Sequence, residues 1–229
     1  MLAEVKEGNF ELMDQFHHLS SGYKSLFTQR TMESLNVIRQ SIGGAGFSAW
    51  SGIPYLIAYF ASAITYEGDN TVMMMQSFKY LEKQYKKMKK GEKLVGIYSY
   101  LNKINEFGSM KCGAKTAEDF TVLDQVIEAL QVSTGQLILQ TMENLESTTT
   151  TKKEAINHIH GNEIVASAEC HLKYLMIAIS VKNLSIIPED SLRAHFVSMM
   201  TLTGLMFLQE CKAYGYDSGY FKRGDNKLM

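Results

Sequence analysis

Two stretches of the chain bring together residue types that could do chemistry. The first is Arg39-Gln40-Ser41-Ile42-Gly43-Gly44-Ala45-Gly46-Phe47, followed by Ser51-Gly52-Ile53-Pro54. The second is Thr65-Tyr66-Glu67-Gly68-Asp69-Asn70-Thr71-Val72. A carboxylate serves as a general base when burial brings its pKa toward the working pH. Glu67 follows the apolar run from Trp50 to Tyr66, so desolvation is expected of it. Gly68 leaves room for a ligand to pass close to the backbone. Taken alone, Glu67 also reads as an acid at a helix N-terminus, and Gly43-Gly44-Ala45-Gly46 as a helix exit and tight turn.

The remaining reactive residue types form no comparable constellation. His17 and His18 read as helix-surface and helix-boundary residues, and His171, on an apolar face, as a hydrogen-bonded core histidine. His158 and His160 have no Cys or carboxylate partner at ligand spacing, so no metal site is expected. The three cysteines, Cys112, Cys170 and Cys211, show no paired spacing, which argues against a disulfide framework and fits a reducing compartment. The lysines between Lys83 and Lys93 read as a solvated helix end, and Met73-Met74-Met75 as packing.

The elements that must position the two stretches are helices. Only Pro54 and Pro188 interrupt 229 residues, and no strand alternation persists. Apolar residues at spacings of three and four predict a first helix from about Glu11 to Gln40, ended by the glycine cluster. A mostly irregular apolar connection is expected to about Glu67, then a second helix from about Asn70 to Lys90. A short helical segment follows at Leu94 to Phe107, and Gly108 to Thr116 is the best linker candidate. A third long helix is expected from Thr116 to about Leu145. Thr151-x-x-Glu154 resembles a capping box before a fourth helix, and Pro188-Glu189-Asp190 starts a fifth, to about Tyr214. The fold class expected is all-α, a helical bundle, with domains 1–107 and 108–229.

Composition excludes several partners. The 23 basic and 24 acidic residues leave a net charge of -1, so nothing favours nucleic acid or an anionic membrane surface. The longest apolar run, Trp50 to Tyr66, is too short to span a bilayer comfortably. Met1 to Glu7 is charged, unlike a signal peptide, and Lys227-Leu228-Met229 only superficially resembles a peroxisomal Ser-Lys-Leu address; no targeting signal is visible.

The two stretches, in this order and about twenty residues apart, resemble the acyl-CoA oxidases within the wider acyl-CoA dehydrogenase superfamily. Those enzymes carry a Gly-Gly-x-Gly-aromatic turn at a helix end, then a Tyr/Phe-Glu-Gly-(Glu/Asp)-Asn-Thr-Val segment. The likeness continues into Phe78-Lys79-Tyr80-Leu81, and Leu19-Ser20-Ser21-Gly22-Tyr23-Lys24-Ser25 and the segment Ile164 to Tyr174 also resemble the family. The chain departs from it at Ile42, Ala45 and Phe47, where oxidases usually have Cys, His and Tyr.

The resemblance implies an FAD-dependent oxidation of acyl-CoA to trans-2-enoyl-CoA, with oxygen reduced to hydrogen peroxide and Glu67 as the base that takes the α-proton. It implies backbone approach of FAD at Gly43, Gly44 and Gly46, with Gln40, Gly68, Asp69 and Thr71 on the flavin side. The 1–107 and 108–229 segments then correspond to parts of the oxidases' two C-terminal helical domains. The family's preceding helical and β-domains have no counterpart here, so the isolated chain is expected to be inactive. Homo- or hetero-oligomeric partners are expected to supply what is missing. The alternative is a non-catalytic, oxidase-like structural subunit in a larger, for instance mitochondrial, assembly. The resemblance otherwise implies a peroxisome.

Overall fold

A computed structural model describes residues 10–222; the terminal segments read above for targeting, Met1–Glu7 and Lys227–Met229, lie outside the described residues. Every regular element among the described residues is helical. The long ones are α1 (Glu11–Ser41), α2 (Ile53–Ala61), α3 (Asn70–Lys89), α4 (Leu123–Ser147), α5 (Gly161–Lys182) and α6 (Asp190–Asp217). The all-α expectation therefore holds. The chain divides into two compact units, residues 1–81 and 82–229, with the division falling inside α3. The sequence places its boundary later, after residue 107. The segment between belongs with the second unit because Leu94, Tyr98, Tyr100, Ile104 and Phe107 are all buried, and Tyr100 bonds His171 of α5.

In the first unit α1 and α3 run antiparallel. Three cross-helix pairs set the register: Tyr80 donates to Glu11, His18 meets Ser77, and Ser25 donates to the carbonyl of Asn70. Leu26, Met74, Phe78 and Leu81 supply the buried apolar surface. His18 overturns its reading as a surface or boundary residue. It is fully buried, tilted against the Tyr80 ring, with Nδ1 2.8 Å from the Ser77 carbonyl and 2.9 Å from its hydroxyl.

Burial lowers the His18 pKa to about 4, against the opposing bond to the Ser77 carbonyl and with help from His17. A depressed folded pKa means that above about pH 6.5 the ring is neutral in both states and nothing is lost. As the pH falls from there toward 4, the unfolded chain takes up a proton that the native chain refuses. Stability should drop by about 3 kcal/mol over that window. Denaturant titrations at stepwise pH measure it, and His18→Gln, which cannot titrate, should show a shallower slope.

The apolar connection expected to be irregular contains a helix. Pro54 sits in the first turn of α2, where the missing N–H costs nothing. No residue of α2 is fully buried, and Tyr55, Leu56 and Tyr59 are exposed, as are Phe47 and Trp50 before it.

The second unit is built on α4, α5 and α6, which pack on one another. Val126, Leu130 and Ile138 of α4, Ile164, Ala168 and Leu172 of α5, and Leu208 of α6 are among the fully buried residues. By length and composition the segment Gly161–Ile186 could cross a membrane, but 56% of its most apolar window is buried inside the chain, as in the core helix of a packed bundle. The third predicted helix starts later than Thr116. The Asp119 carboxylate accepts from the backbone N–H groups of Lys115 and Thr116, at 2.7 and 2.9 Å, and holds that stretch as a turn before α4. Thr151 caps as expected, its hydroxyl accepting from the Glu154 N–H at 3.3 Å. His171 is the hydrogen-bonded core histidine expected, fully buried with Nδ1 2.6 Å from the Tyr100 hydroxyl.

Candidate active site

Every residue singled out for chemistry lies in the first unit. After α2 a short 3-10 turn, Ser62–Ile64, leads into Thr65-Tyr66-Glu67, where the chain reverses before α3. Thr65 and Tyr66 both donate their N–H to the Ser62 carbonyl. Glu67 then adopts φ 59°, and among the described residues it is the one non-glycine with positive φ. Left-handed backbone at a side-chain-bearing residue costs on the order of 1–3 kcal/mol and persists where surrounding contacts impose it.

Those contacts come from α1. Lys24 donates through Nζ to the Gly68 carbonyl at 2.5 Å and to Asn70 Oδ1 at 2.9 Å. Asn70 is gripped further by Thr28, whose hydroxyl lies 3.0–3.1 Å from both ends of its amide, and by Ser25, whose hydroxyl donates to the Asn70 carbonyl at 2.9 Å. Gly68 takes φ 110°, where a side chain is strained, and a Cβ there would also displace the Met73 sulfur, 2.5 Å away. Asp69 closes the arrangement. Its carboxylate accepts from the N–H of Thr71 at 2.9 Å and of Val72 at 3.4 Å, capping α3. Glu67 is left as the carboxylate of this turn that its own helix does not use.

The clamp of Lys24, Ser25 and Thr28 on Asn70 is absent from the list of residues that sequence reasoning singled out by role. The signal available was the segment Leu19 to Ser25, whose likeness to the family had no assigned purpose. Removing the Asn70 amide takes one of two acceptors from the half-buried Lys24 ammonium, and a bond to a charged group is worth about 1.5–3 kcal/mol. Asn70→Ala should therefore lose stability by that amount in thermal unfolding, whereas Thr71→Ala, at an exposed position, should change it little.

The desolvation expected of Glu67 is not supplied by its own chain. Glu67 is exposed, as are Tyr66 beside it and Thr71 beyond it. The physical reason lies in α2: the apolar residues that precede Glu67 in sequence are themselves on an exposed helix, so proximity in sequence does not become burial.

The glycine stretch leaves the end of α1. Ile42 and Gly43 still bond back to Ile38 and Gln40, Gly43 takes φ 60° and ψ −138°, and Gly44–Phe47 forms a single helical turn. Its three glycines differ in what surrounds them. A Cβ on Gly46 would sit 2.2 Å from the Arg39 carbonyl oxygen and 2.7 Å from Ile42 Cγ1, so Gly46 is needed for the turn to pack on α1. A Cβ on Gly43 or Gly44 would meet nothing within 4 Å. Gly43 is required by its left-handed φ, whereas Gly44 is explained neither by packing within the chain nor by a positive φ, and an exposed backbone stripped of a side chain is what close approach of a ligand requires. Gln40, Gly43 and Gly44 are exposed. Thr28, which holds the Glu67 turn, and Gln40 lie about twelve residues apart on α1, roughly 18 Å along its axis. The two candidate segments thus sit at different levels of one helix, suited to an extended ligand rather than a compact one.

Comparison with known proteins concerns the chain as a whole. Residues 2–82 match the family model of the acyl-CoA oxidase C-alpha1 domain, and residues 122–229 match that of acyl-CoA oxidase. The peroxisomal acyl-coenzyme A oxidase 1 of Phascolarctos cinereus is 27% identical over 226 residues, covering 96% of this chain and 33% of that protein. Its Arabidopsis thaliana namesake is 31% identical over 137 residues, 60% of this chain and 21% of the relative. Among solved structures, Arabidopsis thaliana acyl-CoA oxidase 1 superposes with a TM-score of 0.88 at 22% identity, covering 99% of this chain and 35% of that one. The Caenorhabditis elegans acyl-CoA oxidase-1 complexed with FAD and ATP gives 0.80 at 23%, covering 100% and 35%. The chain spans about a third of the length of the first of these relatives.

Proposed function

The chain belongs to the acyl-CoA oxidase family, and from that premise we propose that it is the helical part of an FAD-dependent acyl-CoA oxidase in which Glu67 takes the α-proton of the acyl-CoA thioester. The observation that carries this reading is the held left-handed turn at Glu67. Strained backbone at one carboxylate, imposed by a clamp on Gly68 and Asn70 and beside an Asp69 already engaged by the α3 N–H groups, is how a reacting side chain is positioned.

The chain's residues divide the work. Lys24, Ser25, Thr28 and Asn70 hold the turn, Asp69 caps α3, and Glu67 Oε1 or Oε2 accepts the proton beside the thioester carbonyl. Gly44 offers an exposed backbone to the cofactor beside Gly43, whose own N–H and carbonyl are bonded to Gln40 and Gly46, with Gln40 and Thr71 as exposed polar side chains on their respective segments. FAD, held against Gly44, Gln40 and Thr71, would supply the redox chemistry of hydride acceptance and oxygen reduction. Desolvation of Glu67, which its own chain does not provide, comes from cofactor, substrate and partner chains closing over the turn. The exposed apolar side chains Phe47, Trp50, Tyr55, Tyr59 and Tyr66 fit such covering partners. The relatives named peroxisomal support a peroxisomal setting.

A second reading, that of a non-catalytic structural subunit, rests on the apolar Ile42, Ala45 and Phe47 at positions where oxidases usually carry Cys, His and Tyr. Native material decides between the two. Isolated with its bound partners, a catalytic assembly contains FAD and converts an acyl-CoA to equal amounts of trans-2-enoyl-CoA and peroxide. An assembly without flavin that makes neither product overturns the catalytic reading in favour of the structural one.

A further inference from the structure

The second unit holds a pair of nucleophilic side chains that the proposed chemistry does not use. Cys170 on α5 and Cys211 on α6 are 41 positions apart in the chain, yet their Sγ atoms lie 2.7 Å apart. Both are free thiols, 5% and 0% exposed, packed with Leu137 of α4 and flanked by Ala166 and Tyr214. A covalent S–S bond is about 2.05 Å, so the two sulfurs need only a small side-chain adjustment to join.

We propose that Cys170 and Cys211 form an oxidative modification site, a buried dithiol that hydrogen peroxide closes into a disulfide bridging α5 and α6. The step balances. The Cys170 sulfur, the less enclosed of the two, attacks a peroxide oxygen; the O–O bond breaks, water leaves, and Cys170 becomes a sulfenic acid. The Cys211 sulfur then attacks the Cys170 sulfur, the S–S bond forms, the S–O bond breaks, and a second water carries off the remaining thiol proton. Two thiols lose two electrons in total, and one peroxide is reduced to two waters.

The surroundings set the rate and the selectivity. The bond to Cys211, then burial, hold the Cys170 thiol well above the ordinary range, so thiolate is scarce and the first step is slow. Lys173, one turn on along α5, is buried and paired with Glu169 and Glu210, and its ammonium favours the thiolate when it forms. Enclosure admits an oxidant little larger than water and excludes bulky disulfides. Cys112 is more exposed and lies outside the pair, so it serves as an internal clock.

The test uses the full chain, reduced and then exposed to hydrogen peroxide for many times longer than Cys112 takes to oxidise. Protein is then unfolded, alkylated and weighed, and its peptides are mapped. The expected result is a linked Cys170–Cys211 peptide pair about 2 Da lighter than the two peptides together, separated again by a reductant. Cys112→Ser should retain that link and Cys211→Ser should abolish it. The proposal is overturned if Cys170 and Cys211 both still alkylate after an exposure many times longer than the one that oxidises Cys112, or if the linked peptides include Cys112. The oxidant class is the one the proposed reaction generates, but here it is added from outside, so a negative result bears on the dithiol and not on that reaction.

Discussion

Replacing Glu67 by Gln in the flavin-loaded assembly should lower acyl-CoA turnover by on the order of 10²–10⁴-fold, the range a positioned general base supplies. The amide cannot accept the proton, but it has the same shape and the same reluctance toward positive φ. Glu67→Gln should therefore leave the thermal midpoint and the flavin content as they were. Glu67→Gly separates position from chemistry further. The native φ is 59°, which glycine adopts freely, so this variant should be as stable as the parent or more so while being equally inactive. Activity lost as stability is kept or gained marks a residue held in strain for function. Peroxide formation and thermal unfolding, measured on the same three proteins, check it. Normal turnover in Glu67→Gln would remove Glu67 from the reaction.

The second large effect separates two glycines two positions apart. Gly46→Ala places a Cβ 2.2 Å from the Arg39 carbonyl oxygen, a backbone atom that moves only with the end of α1. Overpacking of this kind costs about 1–3 kcal/mol, occasionally more, and the thermal midpoint should fall accordingly. Gly44→Ala puts its Cβ into open space, where alanine favours a helical turn by roughly 1 kcal/mol over glycine. The chain should fold at least as well. If FAD runs against this backbone, the added methyl should still weaken flavin binding several-fold, as titration of the apo-assembly would show. Unchanged flavin affinity in Gly44→Ala would leave the open space at Gly44 without a ligand to explain it.

How much of this was legible depends on the range of each interaction. The three-and-four periodicity along α1 and the proline start before α6 are local signals, and both helices form where they place them; the Thr151 cap also forms, but it opens the short Lys152–Glu154 turn, and α5 starts only at Gly161. Helix α2 was obscured because Gly52 and Pro54 read as breakers, although proline in a first turn is compatible with a helix. His18 looked like a surface residue beside His17, and only the antiparallel placement of Ser77 and Tyr80 buries it. The Lys24 clamp and the Cys170–Cys211 pair join residues 44 and 41 positions apart, and no spacing rule reaches across separate helices. At the site the sequence identified Glu67 and its glycine neighbours by type. The Asp69 cap on α3 is local, reaching two and three residues on, but the exposure of Glu67 depends on how α1 and α2 pack and has no local signal.

Whether Glu67 is the proton acceptor is decided by a structure of the assembly with a non-reacting acyl-CoA analogue. A general base must lie within hydrogen-bond reach of the proton it removes. A Glu67 carboxylate oxygen about 3–3.5 Å from the thioester α-carbon, in a turn still clamped by Lys24 and Asn70, is the result expected. A Glu67 side chain remaining in solvent, with a different carboxylate against the α-carbon, would contradict it.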